Sequence, residues 1–259
     1  MSFPWRAGGM SIEAWRGKRV CFLGDSITDG VGVTRGERYL DLLADMTGIE
    51  AVGMGVNGAQ LSGVRKQAER VFETYGDAVD AIFVFAGTND FYGNIPIGEW
   101  FCEHRETVTV LRDDDGNSIG AEDRRVREFC MDGATVRGRL NRLMLYLRQK
   151  YASKPVILMT PIHRAYATFS NHNIQYSELY ANSLGVFFED YVSAVREAAD
   201  IWPAPLIDLY RESGLCPLVD ESAAEFFVDT ERDRLHLNPA GHRRLAAVIA
   251  GHMRNMGSF

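Results

Sequence analysis

Residues 20–30 read VCFLGDSITDG: an apolar run, Val20 to Leu23, stops at Gly24-Asp25-Ser26 and passes into Ile27, Thr28, Asp29 and Gly30. An apolar run with no polar alternation is the pattern of a strand covered on both faces, as in a parallel sheet. Chemistry in open α/β sheets collects at the carboxyl ends of the strands. A serine directly past such a strand is therefore a candidate nucleophile, and the rest of the chain decides whether it has partners.

Further short apolar runs lie at 51–54 (weak, with glycines), 81–86, 156–159 and 206–209. Stripes of helical period separate them. Leu61, Val64, Ala68, Val71 and Phe72 form one, and Val136, Leu140, Leu143, Met144 and Leu147 a second. A third runs through Leu184, Phe187, Phe188, Tyr191, Val195 and Ala198. The last helix is expected to start at Asn238-Pro239, a capping side chain followed by proline at the first helical position, and to turn Leu245, Val248, Ile249 and Met253 inward. Strand–helix alternation of this kind predicts a three-layer α/β/α fold around a parallel sheet. One segment breaks the rhythm: residues 103–130, with the acidic turn Asp113-Asp114-Asp115-Gly116-Asn117 between two β-rich stretches, read as a β-hairpin insertion.

The chain has 259 residues, is 46% hydrophobic and carries a net charge of −7. That composition supports one domain over 1–259 with a sizeable core, and it excludes a nucleic-acid binder, which needs a basic face. No apolar run approaches the roughly 20 residues of a membrane span, so no membrane partner is expected. The N-terminus contains no apolar signal core, which reads as a cytoplasmic enzyme, or a secreted one if a signal peptide has been removed. Cys21, Cys102, Cys130 and Cys216 are scattered without a C-x-x-C pair, so reduced, mostly buried thiols are expected. No histidine pair has zinc-like spacing, and neither a metal nor a cofactor is expected.

Polar residues gather just past the predicted strands. Asp25 and Ser26 follow the first, Asn57-Gly58-Ala59-Gln60-Leu61-Ser62-Gly63 the second, Gly87-Thr88-Asn89-Asp90 the third, and Asp233-Arg234-Leu235-His236 precedes the last helix. Acyl transfer needs a hydroxyl nucleophile, an imidazole base, a carboxylate to orient it and donors for the oxyanion. Ser26, His236 and Asp233 supply the first three. The amides of Ser26 and Gly63 and the side chain of Asn89 supply the donors.

These stretches resemble, in the right order, the four blocks of the SGNH (GDSL-type) hydrolases, from GDSIT at 24–28 to D-R-L-H at 233–236, over nearly the whole chain. The resemblance implies a flavodoxin-like sheet, a Ser26–His236–Asp233 triad and an oxyanion hole of Ser26, Asn89 and a glycine. Gly63 is preferred to Gly58 for that glycine because it follows Ser62 as in the family's Ser-Gly. It also implies a small-molecule ester as substrate, with acetylated carbohydrate as the first choice. An acyl-thioester, a lysophospholipid or an aryl ester would use the same residues, and a weakly catalytic glycan-binding relative would keep the same pocket.

Gly116-Asn117-Ser118-Ile119-Gly120 also fits G-x-S-x-G, but that elbow needs a buried strand before the serine. The acidic turn lacks the glycine and glutamate of a calcium loop. His104, His163, His172, His242 and His252 read as structural or exposed. Phe91, Tyr92, Trp100, Tyr166, Phe169, Tyr176 and Tyr180 are open between core packing and the substrate pocket. The insertion carries Val108, Val110, Leu111, Val126 and Phe129 and must bury them. It is expected either to wall the substrate pocket or to form a homo-oligomer contact.

Overall fold

The computed structural model describes residues 12–169 and 173–256; His172 lies outside the described residues. A helical turn, Ile12–Trp15, leads into β1 (Arg19–Gly24), α1 (Ser26–Asp29), α2 (Tyr39–Thr47), β2 (Glu50–Gly53) and α3 (Leu61–Tyr75). Next come β3 (Ala81–Phe85), α4 (Thr88–Tyr92), the long strands β4 (Phe101–Arg112) and β5 (Ser118–Phe129), α5 (Val136–Lys150) and β6 (Val156–Met159). Two short strands, β7 (Ala167–Thr168) and β8 (Ile174–Gln175), precede α6 (Phe188–Ile201), β9 (Leu206–Ile207), α7 (Leu209–Glu212) and α8 (Asp220–Phe226). The chain closes with β10 (Phe227–Asp229), β11 (Asp233–Leu237) and α9 (Pro239–Asn255).

The main sheet is parallel, in the order β2-β1-β3-β6-β9. The inner strands β1, β3 and β6 are largely apolar because both faces are covered, whereas the edge strand β2 is half-exposed, and the pleat sorts the buried residues into two cores. Cys21, Leu23, Ile82, Val84, Val156 and Leu158 face α3, α5 and α6. Val20, Phe22, Phe83, Phe85, Ile157 and Met159 face α2 and α9. Because β2 and β3 flank β1, the connections leave β1 in opposite directions. A crevice opens at this switch point, outside the carboxyl ends of β1 and β3. Ser26 lies two residues past the end of β1 and Asn89 four past the end of β3.

The predicted stripes largely coincide with the buried faces of α3 and α5. α9 starts where expected, with the Asn238 side chain accepting hydrogen bonds from the amides of Ala240 and Gly241. The third stripe is shorter than predicted. α6 begins only at Phe188, after Gly185 at φ +74°, and Leu184 and Phe187 stay about half exposed. The structure also contains an antiparallel sheet, β10-β11-β7-β8, which carries His236.

The hairpin insertion is present as β4 and β5, but it does not do what the sequence suggested for the pocket. Nearly all of it is exposed, and none of its residues lines the cavity at Ser26. Only its base is packed: Phe129 stacks on Trp202, with ring centroids 4.4 Å apart, and Phe101 lies against Phe129. The cysteine expectation is also corrected, since Cys102 and Cys130 form a disulfide across that base. They are 28 residues apart in sequence, and antiparallel pairing brings their Cα atoms to 5.3 Å. Cys21 is a buried thiol, as expected, and its pKa is pushed up to about 12 by burial.

Candidate active site

β1 ends at Gly24, where only glycine fits: a Cβ would collide with Thr28 and the carbonyl of Phe85. Gln67 of α3 clamps this point, accepting from the Gly24 amide and donating to its carbonyl, both at 2.8 Å. Asp25 then caps α1, its carboxylate accepting from the Ile27 amide. This turn fixes Ser26 as the first helical residue, 4% exposed. Burial pushes the Asp25 carboxyl up to about 6 against that hydrogen bond and the charge of His236.

His236 approaches Ser26 from β11. Its Nε2 lies 3.0 Å from Ser26 Oγ, and its Nδ1 lies 2.8 Å from Asp233 Oδ2. An ionised carboxylate only accepts, so Nδ1 carries the proton and Nε2 is left to accept from the serine hydroxyl. Asp233 Oδ1 accepts from the amides of Leu235 and His236, which locks the carboxylate in place. Burial would raise the Asp233 carboxyl. The His236 hydrogen bond and charge, with these amides, outweigh it and hold the group below the usual carboxylate range.

Asn89 sits in α4 and shares the cavity wall with Ser26; one of its Nδ2 hydrogens goes to the Ala59 carbonyl at 3.1 Å and the other is free. Gly63 is not at Ser26. Its amide donates to the Gln60 carbonyl inside the first turn of α3, and it lines a separate groove. The glycine beside Ser26 is Gly58, in the loop before α3 at φ +75°, a backbone region that favours glycine. The amides of Ser26 and Gly58 make no hydrogen bond within the described residues.

Two buried charged side chains, Asp90 and Arg164, support this rim. Asp90, fully buried, accepts from the Leu61 amide and from Arg139, tying α4 to the start of α3. Arg164, also fully buried, donates to the carbonyl and hydroxyl of Thr88 and to Gln175 Oε1, and lies over the rings of Phe91 and Phe188. Burial lowers its pKa to about 10. Sequence reasoning missed Arg164, since a lone arginine in a loop gives no sign of burial.

The cavity at Ser26 has a volume of about 490 Å³. Asn57, Gln60, Asn89, Asn173 and Gln175 line it with carboxamides, Tyr92 and Phe169 supply aromatic rings, and among the described residues no Asp, Glu, Lys or Arg reaches it. Of the seven aromatics left open by the sequence, only these two line the cavity; Phe91 is core. Ser118 starts β5 on the exposed hairpin, where its hydroxyl accepts from Thr109. Asp113 binds its own turn amides, and no metal-binding cluster occurs among the described residues. His242 accepts the Tyr39 amide in the core, and burial lowers its pKa to about 4. His163 and His252 contact Glu178 and Glu212, each at 2.6 Å.

Residues 22–244 match the model of the GDSL-like lipase/acylhydrolase family. The chain belongs to that family. Solved structures agree on the GDSL fold. A protein from Lactobacillus plantarum is 24% identical with a TM-score of 0.67, covering 93% of this chain and 98% of its own. A possible lipase from Chitinophaga pinensis is 19% identical with a TM-score of 0.66, covering 93% and 99%. A lipase/acylhydrolase from Enterococcus faecalis is 19% identical with a TM-score of 0.54, covering 92% and 96%. No curated protein sequence matches the chain. Among the described residues of this GDSL-family chain, no helix is long and apolar enough to cross a membrane.

Proposed function

We propose that this chain hydrolyses short-chain acyl esters of neutral, hydroxyl-rich alcohols, such as acetylated carbohydrates, with Ser26 as nucleophile. The observation that carries the reading is the Ser26–His236–Asp233 relay, with contacts of 3.0 and 2.8 Å at a switch-point crevice. His236 takes the Ser26 proton as Oγ attacks the ester carbonyl, then returns it to the departing alcohol. Asp233 holds the imidazole tautomer and stabilises the imidazolium. The oxyanion meets the amides of Ser26 and Gly58 and the free N–H of Asn89. Water, activated by the same imidazole, then releases the acid.

The wall chemistry supports the choice of alcohol. Carboxamides donate to and accept from hydroxyls, aromatic faces pack on sugar rings, and a wall without charges favours a neutral group. The test is kcat/KM across acetylated sugars, p-nitrophenyl esters of increasing acyl length and acyl-CoAs, alongside fluorophosphonate labelling of wild type and Ser26→Ala. Labelling at Ser26 with preference for acetylated sugars supports the reading. Labelling with a preference for long acyl chains or acyl-CoA overturns the substrate, and absence of labelling overturns the mechanism.

A further inference from the structure

A second cavity of about 240 Å³ lies between α3 and α5, and its charge is opposite to that of the protein as a whole. Ser62, Arg65 and Lys66 line it from α3, and Arg139 and Arg142 from α5. Glu69 is its one acidic residue and is bonded to Arg65 at 2.9 Å. Lys66 and Arg142 make no hydrogen bond or ion pair with any described residue. Arg65 Nε is buried without a hydrogen-bond partner while its guanidinium lies 4.7 Å from the centre of the Tyr146 ring. Gly133 leaves the space that the Arg142 guanidinium occupies, and a Cβ there would collide with it.

Like charges held together in a cavity repel one another, and a buried donor without an acceptor is costly. An oxyanion resolves both, since its oxygens accept from several guanidinium and ammonium donors at once. We propose that this cavity is an anion-binding site for a phosphate-class group, held by Arg65, Lys66, Arg142 and the Ser62 hydroxyl. Nothing in this proposal depends on the substrate assigned to Ser26.

The site is not isolated from the crevice. A groove of about 690 Å³ shares Asn57 and Gly58 with the Ser26 cavity and Lys66 and Glu69 with the basic one. Arg139 adds a hydrogen-bonded link: it donates to Gln60 Oε1 and Asp90 Oδ1, and Gln60 in turn donates to the carbonyl of Asn89. The anion can therefore arrive as part of a substrate lying along the groove, or as a free ion acting through Arg139.

The experiment titrates inorganic phosphate by isothermal calorimetry at fixed ionic strength, with chloride as the control. Saturable phosphate binding is expected, weakened at least about tenfold by both Arg142→Gln and Lys66→Gln and unchanged by Arg105→Gln on the hairpin; circular dichroism confirms that the variants are folded. Kinetics on active protein separate the sources. A substrate-borne anion makes Arg142→Gln lower kcat/KM more for an acetylated sugar phosphate than for the neutral acetylated sugar. A free ion makes phosphate change the wild-type rate on the neutral ester. Phosphate binding that equals chloride binding, or that survives both variants unchanged, overturns the site.

Discussion

The rim around Ser26 and the hairpin of β4 and β5 are both rich in polar and charged residues, but they spend them differently. On the rim, Ser26 and His236 are 4% and 3% exposed, and Asp90 and Arg164 are fully buried. An unpaired polar group is costly at such positions, and each of these side chains has a directed partner, although the Arg164 Nε itself has none among the described residues. On the hairpin, Glu103 meets Arg125 and Arg127 with every side chain at least 39% exposed. Such pairs are screened and contribute little. The same residue types therefore specify geometry only where burial makes a wrong arrangement expensive.

The sharpest break in that comparison is one serine against another. Ser26→Ala is expected to lower kcat by at least about 10⁴-fold with an unchanged melting temperature, while Ser118→Ala leaves both as they were. Loss of activity in Ser118→Ala alone would invert the assignment. Within the rim, Asn89→Ala is expected to lower kcat by about 10²–10³-fold with little change in KM. Gly58→Ala should also lower kcat. Gly63→Ala, whose new Cβ meets only Ala59 at an ordinary 3.6 Å, should leave kcat unchanged. A kcat loss at Gly63 and none at Gly58 would return the oxyanion role to Gly63.

The hairpin is expected to matter to stability before chemistry. Loop-closure entropy puts the loss on replacing Cys102 and Cys130 by serine at about 3.5 kcal/mol as a ceiling, and less where strand pairing already closes the loop. Urea denaturation measures it, and kcat/KM on a small acetyl ester should be unchanged. Replacing 103–129 by a Gly-Ser linker should likewise spare that activity. The sequence expectation of a homo-oligomer contact, which rests on Val108, Val110, Leu111, Val126 and Phe129, predicts a lower mass by light scattering after this deletion. An unchanged mass removes that role.

The smallest effect concerns pH. Because burial raises the Asp25 carboxyl from 3.8 to about 6, the folded protein binds its proton where the unfolded chain has released it. Stability therefore falls as pH rises from about 4 to 6, and the deficit persists above. Asp25→Asn keeps a capping oxygen and removes the buried charge. It should add up to roughly 3 kcal/mol at pH 8 and nothing at pH 3, measured by urea denaturation at both values.

The five strands of the main sheet, the buried faces of α3 and α5 and the start of α9 were legible in the amino-acid order, because burial on both faces and helical period leave a local signature. So were Ser26, Asn89, Asp233 and His236 as a set, since they follow or lie in short recognisable stretches at strand ends. The antiparallel strands β7, β8, β10 and β11 were not, because these short stretches mix polar with apolar residues and form no apolar run. Nor was the choice between Gly58 and Gly63. Both follow β2, and only the folded chain shows that the Gly63 amide is used inside α3 while Gly58 lines the cavity that Ser26 lines. The Cys102–Cys130 bond, the burial of Arg164 and the convergence of Arg65, Lys66, Arg139 and Arg142 on one cavity join residues far apart in the chain or on different elements. Local sequence sets what each segment can form. Which donors are buried, paired or left facing a cavity depends on how those segments pack, and that was decided by the tertiary structure alone.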